Sequence, residues 1–160
     1  MIIGIDPGAN GGIATLGADG EVHQALKMPA TPHDIAEAIE RNRSGGGVFC
    51  YIENVGPMPK QGVSSTFKFG RGFGVLIGVL AALRVPHELV RPQVWQRTLA
   101  IPKRKRTESK TAFKNRLKQK AQQLFPQVKI THSVADALLI AEHGRRVRTK
   151  QHTHADGGDT

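Results

Sequence analysis

The stretch from Met1 to Leu16, MIIGIDPGANGGIATL, decides the fold. Apolar Ile2, Ile3 and Ile5 lead into one acid, Asp6, and Pro7 and Gly8 follow at once. Ala9, Asn10, Gly11 and Gly12 come next, then a second apolar run, Ile13-Ala14-Thr15-Leu16. This pattern predicts a strand, a tight turn and an antiparallel return strand. Pro7 cannot donate to a ladder, which suits a strand end. Asp6 is the anomaly, because a carboxylate in a buried strand is costly unless it is paired or holds a metal. We read Asp6 as a metal-facing acid whose partners come from distant segments. The alternative is an Asp that accepts bonds from the turn amides around Gly8.

Downstream, Glu21 to Met28 reads as a third strand, completing a meander. Thr31-Pro32-His33-Asp34 is a helix start, with Thr31 as cap and Pro32 at the first helical position. Ile35, Ala38 and Ile39 give that helix its apolar stripe. Val48 to Ile52 is a nearly continuous apolar run, as in a central strand covered on both faces. It ends in Glu53, repeating the pattern of the first strand. If the two strands are parallel neighbours, Glu53 and Asp6 meet at one edge of the sheet. Ser64 to Leu83 reads as a long helix on which Gly70, Gly74, Gly78 and Ala82 share a face, a sign of close approach by another backbone or a second subunit. His87 to Val90 is a short strand, followed by a helical turn over Gln93 to Leu99. Thr107 to Phe125 is a basic helix with Thr107 as its cap, and the last helix spans Ser133 to Arg148. Residues 1–148 are therefore expected to form one domain, and 149–160 a disordered polar tail. His152 and His154 in that tail resemble a stray metal-binding pair more than a functional site.

The chain has 160 residues, ordinary for one domain with a real core. No apolar run reaches the ~20 residues of a membrane span. Cys50 is the one cysteine, so an internal disulfide is excluded. The absence of a signal-like start and the lone cysteine lead us to expect a reducing, cytoplasmic setting: a cell, a phage-infected host or an organelle. Twenty-three bases against thirteen acids give +10, which points to a polyanionic partner, most simply nucleic acid. Nine bases against one acid, Glu108, fall between Lys103 and Lys120. Lys103, Arg104, Lys105, Arg106, Lys110, Lys114 and Lys118 are the candidate phosphate contacts, with Lys68 and Arg71 on the glycine-bearing helix. The bland alternative is a solvated basic face.

Elimination narrows the thirteen acids. Asp19 and Glu21 flank a turn, Asp34, Glu37 and Glu40 lie on the first helix, and Glu88 alternates outward. Glu108 belongs to the basic helix, Glu142 to the outer side of the last helix, and Asp156 and Asp159 to the tail. Asp6, Glu53 and Asp136 remain, each at an end of a strongly apolar element. Three such carboxylates suit Mg²⁺, and two ions about 3.5–4 Å apart would serve phosphodiester cleavage. Alternatives stay open: Glu53 pairing with a base at the sheet edge, or Asp136 completing a capping box with Ser133.

The ordered set Gly4-Ile5-Asp6-Pro7-Gly8, Tyr51-Ile52-Glu53, Lys68-Phe69-Gly70, Val90-Arg91-Pro92-Gln93-Val94-Trp95 and Ala135-Asp136-Ala137-Leu138 resembles the RuvC-type Holliday junction resolvases, in particular their phage and chloroplast branch. The resemblance covers about residues 1–144. It implies an α/β ribonuclease H-like fold, a five-stranded mixed sheet with helices on both sides. It also implies a homodimer, meeting near the glycine-faced helix, that nicks opposed strands of a four-way DNA junction with Mg²⁺ or Mn²⁺. Asp6, Glu53 and Asp136 would be the catalytic, metal-binding acids, with two ions per site. A fourth metal-site residue is expected three or four positions before the last Asp. Ser133 and His132 stand there, and His132 is the candidate, because some relatives use His. An aromatic that stacks at the opened junction is missing just after Glu53; Phe67, Phe69 or Phe73 could replace it only if exposed, and we expect them in the core.

Rival functions share parts of this reading. A nuclease of the same fold acting on other branched DNA or on RNA would carry the same acids. A non-catalytic junction-binding protein would carry them as vestiges. Asp-x-Gly also occurs in the sugar-kinase and actin superfamily, but that fold needs a second phosphate-binding half for which 160 residues leave little room.

Overall fold

The computed structural model describes residues 1–42, 47–56 and 62–155, with side chains to residue 151. Its first three strands, β1 (Ile2–Asp6), β2 (Gly12–Leu16) and β3 (Val22–Lys27), form the expected meander. Helix α1 (Pro32–Glu40) follows, capped by the Thr31 side chain, which accepts from the Asp34 N–H. Then come β4 (Phe49–Glu53), α2 (Val63–Ala82), β5 (His87–Val90) and α3 (Pro92–Thr98). Two more helices, α4 (Lys110–Leu124) and α5 (His132–Ala155), close the chain. The sheet order is β3-β2-β1-β4-β5, with β1–β2 and β2–β3 antiparallel and β1–β4 and β4–β5 parallel. This is the anticipated five-stranded mixed sheet.

Period-two alternation divides the strand residues between two cores. Ile3, Ile5, Ile13, Cys50 and Ile52 pack on one face with α1 and α2, through Ile35, Ile39, Leu76 and Leu80. Ile2, Ala14, Leu16 and Tyr51 pack on the other with α3, α4 and α5, through Trp95, Leu117, Ala121, Leu138 and neighbours. Helix α5 approaches the second face so closely that glycine is required beneath it. A Cβ on Gly4 would collide with the Ala137 carbonyl oxygen and the Ala141 nitrogen, and one on Gly12 with the Ser133 carbonyl oxygen. Tyr51 lies similarly against Gly144.

Several sequence expectations need correction. The basic helix begins at Lys110 and its cap is Ser109, which accepts from the Ala112 N–H; Thr107 and Glu108 belong to the preceding loop. Helix α5 continues to Ala155, past the expected end of the last helix near Arg148. Glu142 is not on an outer surface. It is 3% exposed, with Arg145 and Arg146 bonded to its carboxylate at 2.7–2.9 Å. The arginines, one turn on, supply the charge that burial demands. Val128 and Ile130 lie in the loop before α5. Residues 43–46, 57–61, Asp156 and Asp159, and the His152 and His154 side chains, lie outside the described residues.

Because the α5–β1 contact is backbone against backbone, Gly4→Val should destabilise the fold by about 3 kcal/mol or more. Gly72→Val, on α2 with open space at its Cβ, serves as an uncrowded Gly→Val comparison in thermal and denaturant unfolding.

Candidate active site

Pleating places Ile2, Gly4 and Asp6 on the α5 side of β1, and Phe49, Tyr51 and Glu53 on the same side of β4. The last paired residues of these parallel strands are Ile5 and Ile52. Asp6 and Glu53 come next, so both carboxylates leave the sheet at one edge and one face. Asp136 lies near the start of α5, over the same face. The three acids sense one another. Burial, then Asp136 and Glu53, push the Asp6 carboxyl from 3.8 up to about 7. Burial, then Asp136, also raises Glu53, against the Trp95 indole N–H, which donates to its Oε1 at 3.0 Å.

The turn amides bond within the turn, Gly11 N–H to the Gly8 carbonyl at 3.0 Å, rather than to Asp6. Gly8 itself sits at φ +112°, where only glycine is comfortable. Glu53 meets an indole rather than a base. Asp136 makes no capping box: its Oδ2 accepts from the Lys114 ammonium, and its Oδ1 is buried without a partner among the described residues. Burial alone would lower the Lys114 pKa, but Asp136, Asp6 and Glu53 together hold it above its ordinary value. Lys114 therefore serves as the counter-ion of all three acids. Its role was read from sequence only as a phosphate contact.

Beside Asp6 lies an open groove of about 520 Å³, lined by residues 7–11, Lys110, Thr111, Lys114 and His132. His132 is exposed at this rim, one helical turn from Asp136. Lys103, Arg104, Lys105, Arg106 and Lys110 are exposed, as are Lys68 and Arg71; Lys118 is half-buried. The loop is built rather than loose. Arg116 grips Glu108 at 2.9 and 3.1 Å and donates to the Pro102 carbonyl at 2.8 Å, while Arg104 donates to the Glu108 carbonyl. Arg116, one of the nine bases, is thus a fastener. Of the three aromatics assigned to the core, Phe67 departs most, at 71% exposed. Phe69 and Phe73 are stacked and half-buried, and Phe69 is nearest the space above Gly8.

The donor set suits a hard divalent cation: three carboxylates on one face, mutual repulsion, and an orphaned buried oxygen on Asp136. Yet among the described residues no three His, Cys, Asp or Glu side chains stand ready to hold an ion. Lys114 holds Asp136 instead. The expected cage of Asp6, Glu53, Asp136 and His132 is therefore not assembled in this arrangement.

Folding lifts Asp6 above its unfolded value, so the native chain keeps a proton there that the unfolded chain has released. In metal-free solution, stability therefore falls as pH climbs from about 4 to about 7. Discounted for the partial exposure of Asp6, the strain at pH 8 is on the order of 2 kcal/mol. Asp6→Asn should raise the melting temperature at pH 8 in chelator, and the gain should shrink toward pH 4.

No family model matches the sequence, and no curated protein matches it. Solved structures do resemble the fold. Thermus thermophilus RuvC in complex with a Holliday junction substrate aligns with a TM-score of 0.65 at 15% identity, covering 92% of this chain and 95% of the other. A second Thermus thermophilus RuvC structure aligns at 0.59 and 19% identity, covering 93% and 96%. With the strand order and the helical layers already described, this likeness identifies the architecture as the RuvC-type, ribonuclease H-like α/β fold.

Proposed function

We propose that this protein is a divalent-metal-dependent endonuclease that resolves four-way DNA junctions as a homodimer. The observation that carries the reading is the convergence of Asp6, Glu53 and Asp136 on one sheet face, beside a groove walled by Lys110 and Lys114. A net charge of +10 supports a nucleic-acid partner, since a polyanion would be repelled from bare acids unless cations screened them. A RuvC structure of this fold in complex with a Holliday junction substrate supports the junction as substrate.

Asp6, Glu53 and Asp136 are the residues that would hold Mg²⁺ or Mn²⁺, two ions per site, with His132 as fourth ligand from the rim. When bound, such ions supply an activated water and offset charge on the phosphate undergoing cleavage. The chain's own residues do the rest. Lys103, Arg104, Lys105, Arg106, Lys110 and Lys118 grip the backbone on the α4 side, and Lys68 and Arg71 on the α2 side. Lys114, released from Asp136, is a mobile cation beside Asp6 that stabilises the phosphate charge. Phe67, exposed near the start of α2, offers a ring for stacking on an unpaired base.

The dimer reading rests on α2. Added Cβ atoms at Gly70, Gly74 and Gly78 would meet open space, and Val63 is 89% exposed. Nothing in the described part of the protomer fills that face, so its small residues are free to seat a second backbone.

Incubated with a synthetic four-way junction and Mg²⁺ or Mn²⁺, the protein should nick two opposed strands. Asp6→Asn should abolish cutting, by a factor of about 10³ or more, yet bind the junction at least as tightly; retained metal-dependent cutting would remove Asp6 from the site. Equal cutting of forks, flaps or RNA hybrids in the same assay would favour the broader nuclease. Gly74→Glu should leave the fold intact and give a monomer in sedimentation, with paired nicking reduced to single nicks.

A further inference from the structure

Trp95 is the chain's only tryptophan and is 1% exposed, packed among Val90, Leu99 and Ile101. A buried indole needs an acceptor for its N–H, and a neutral backbone carbonyl would suffice. Here the acceptor is Oε1 of Glu53, at 3.0 Å. A glutamate has three rotatable bonds, whereas this indole is locked by its packing. The lock extends to the helix that carries Asp136: three residues past Trp95, the Thr98 hydroxyl meets His143 Nδ1 of α5 at 2.9 Å. Glu53 is thus referenced to the same rigid body as Asp136.

The two acids make an instructive pair. Asp136 has one oxygen held by Lys114 and the other buried without a partner among the described residues. Glu53 has one oxygen held by Trp95, and no other hydrogen bond reaches it among the described residues. Lys114 is half exposed and on a flexible stem, so it can leave. Trp95 cannot.

We infer that Trp95 is a positioning residue: its indole N–H pins Glu53 Oε1 and so reserves Oε2 as the single oxygen that Glu53 offers to a divalent cation. This rests on the reading of Asp6, Glu53 and Asp136 as metal ligands. Donors that orient a ligand from outside typically change metal affinity by ~10–100-fold when removed.

The test is Mn²⁺ titration calorimetry on the full chain. Trp95→Phe keeps a ring in the core and deletes the donor together with part of the indole's volume. It should weaken Mn²⁺ binding by about tenfold or more. In a Glu53→Gln background the same change should have little further effect, since the shared partner is already altered. Trp95→Phe binding within twofold of wild type overturns the inference while leaving the nuclease reading intact. A wild-type chain that binds no Mn²⁺ overturns both.

Should Trp95→Phe fail to fold, the wild-type chain decides the matter. Its one indole N–H resonance should shift as Mg²⁺ is added, along the same saturation curve as metal binding, and should stay still in Asp6→Asn. An indole resonance unmoved at saturating Mg²⁺ overturns the inference.

Discussion

Helix α5 rests on β1 and β2 through backbone, with Gly4 and Gly12 beneath Ser133, Ala137 and Ala141. This close approach sets the height of the helix above the sheet, and with it the position of Asp136 over Asp6. Any side chain in the gap would lift α5 and part the acids. The same layer holds most of the larger core, from Leu16 and Tyr51 to Leu138 and Ile140. Burial on this side therefore offsets the electrostatic cost of forcing three carboxylates together. The price of that arrangement appears in the raised pKa values of Asp6 and Glu53.

The site is a balance of unlike partners. Asp6 is held up by burial and by its two neighbours, Glu53 is tied to a rigid indole, and Asp136 is tied to a lysine on a different helix. Lys114 makes the acid cluster tolerable in the absence of any other cation. A binding face for a polyanion is compatible with free acids only when cations neutralise them, and Lys114 is the one cation among the described residues that is bonded into the cluster. The loop before α4 contributes in a different way. Glu108 and Arg116 give it a fixed shape, so that Lys103, Arg104, Lys105 and Arg106 present charge from a built surface.

Local chemistry accounts for where sequence reading succeeded and where it slipped. The meander, the Thr31 cap and the acid at the end of each of β1 and β4 follow from alternation, proline placement and turn residues, all short-range. The cap of α4 was placed at Thr107 instead of Ser109 because both hydroxyls precede a helical pattern, and the Arg116–Glu108 clamp that holds 107–108 in the loop spans eight residues. Glu142 was read as outer because one helix was considered alone; its arginine clamp satisfies a buried charge within a turn and a half. Phe67 was expected in the core from composition, whereas the helix turns it outward.

Resemblance to a known family implied the five-stranded mixed sheet; the amino-acid sequence by itself determined the strand–turn–strand opening, the basic character and the acids that end β1 and β4. These depend on periodicity and on the cost of a charge in an apolar run, which are written along the chain. Only the tertiary structure decided that Lys114 partners Asp136 and that Trp95 partners Glu53. Those pairs lie 22 and 42 residues apart, and no periodicity links them. They arise from the stacking of α3, α4 and α5 on one face of the sheet, where the nearest donor to a buried oxygen is set by packing and not by spacing.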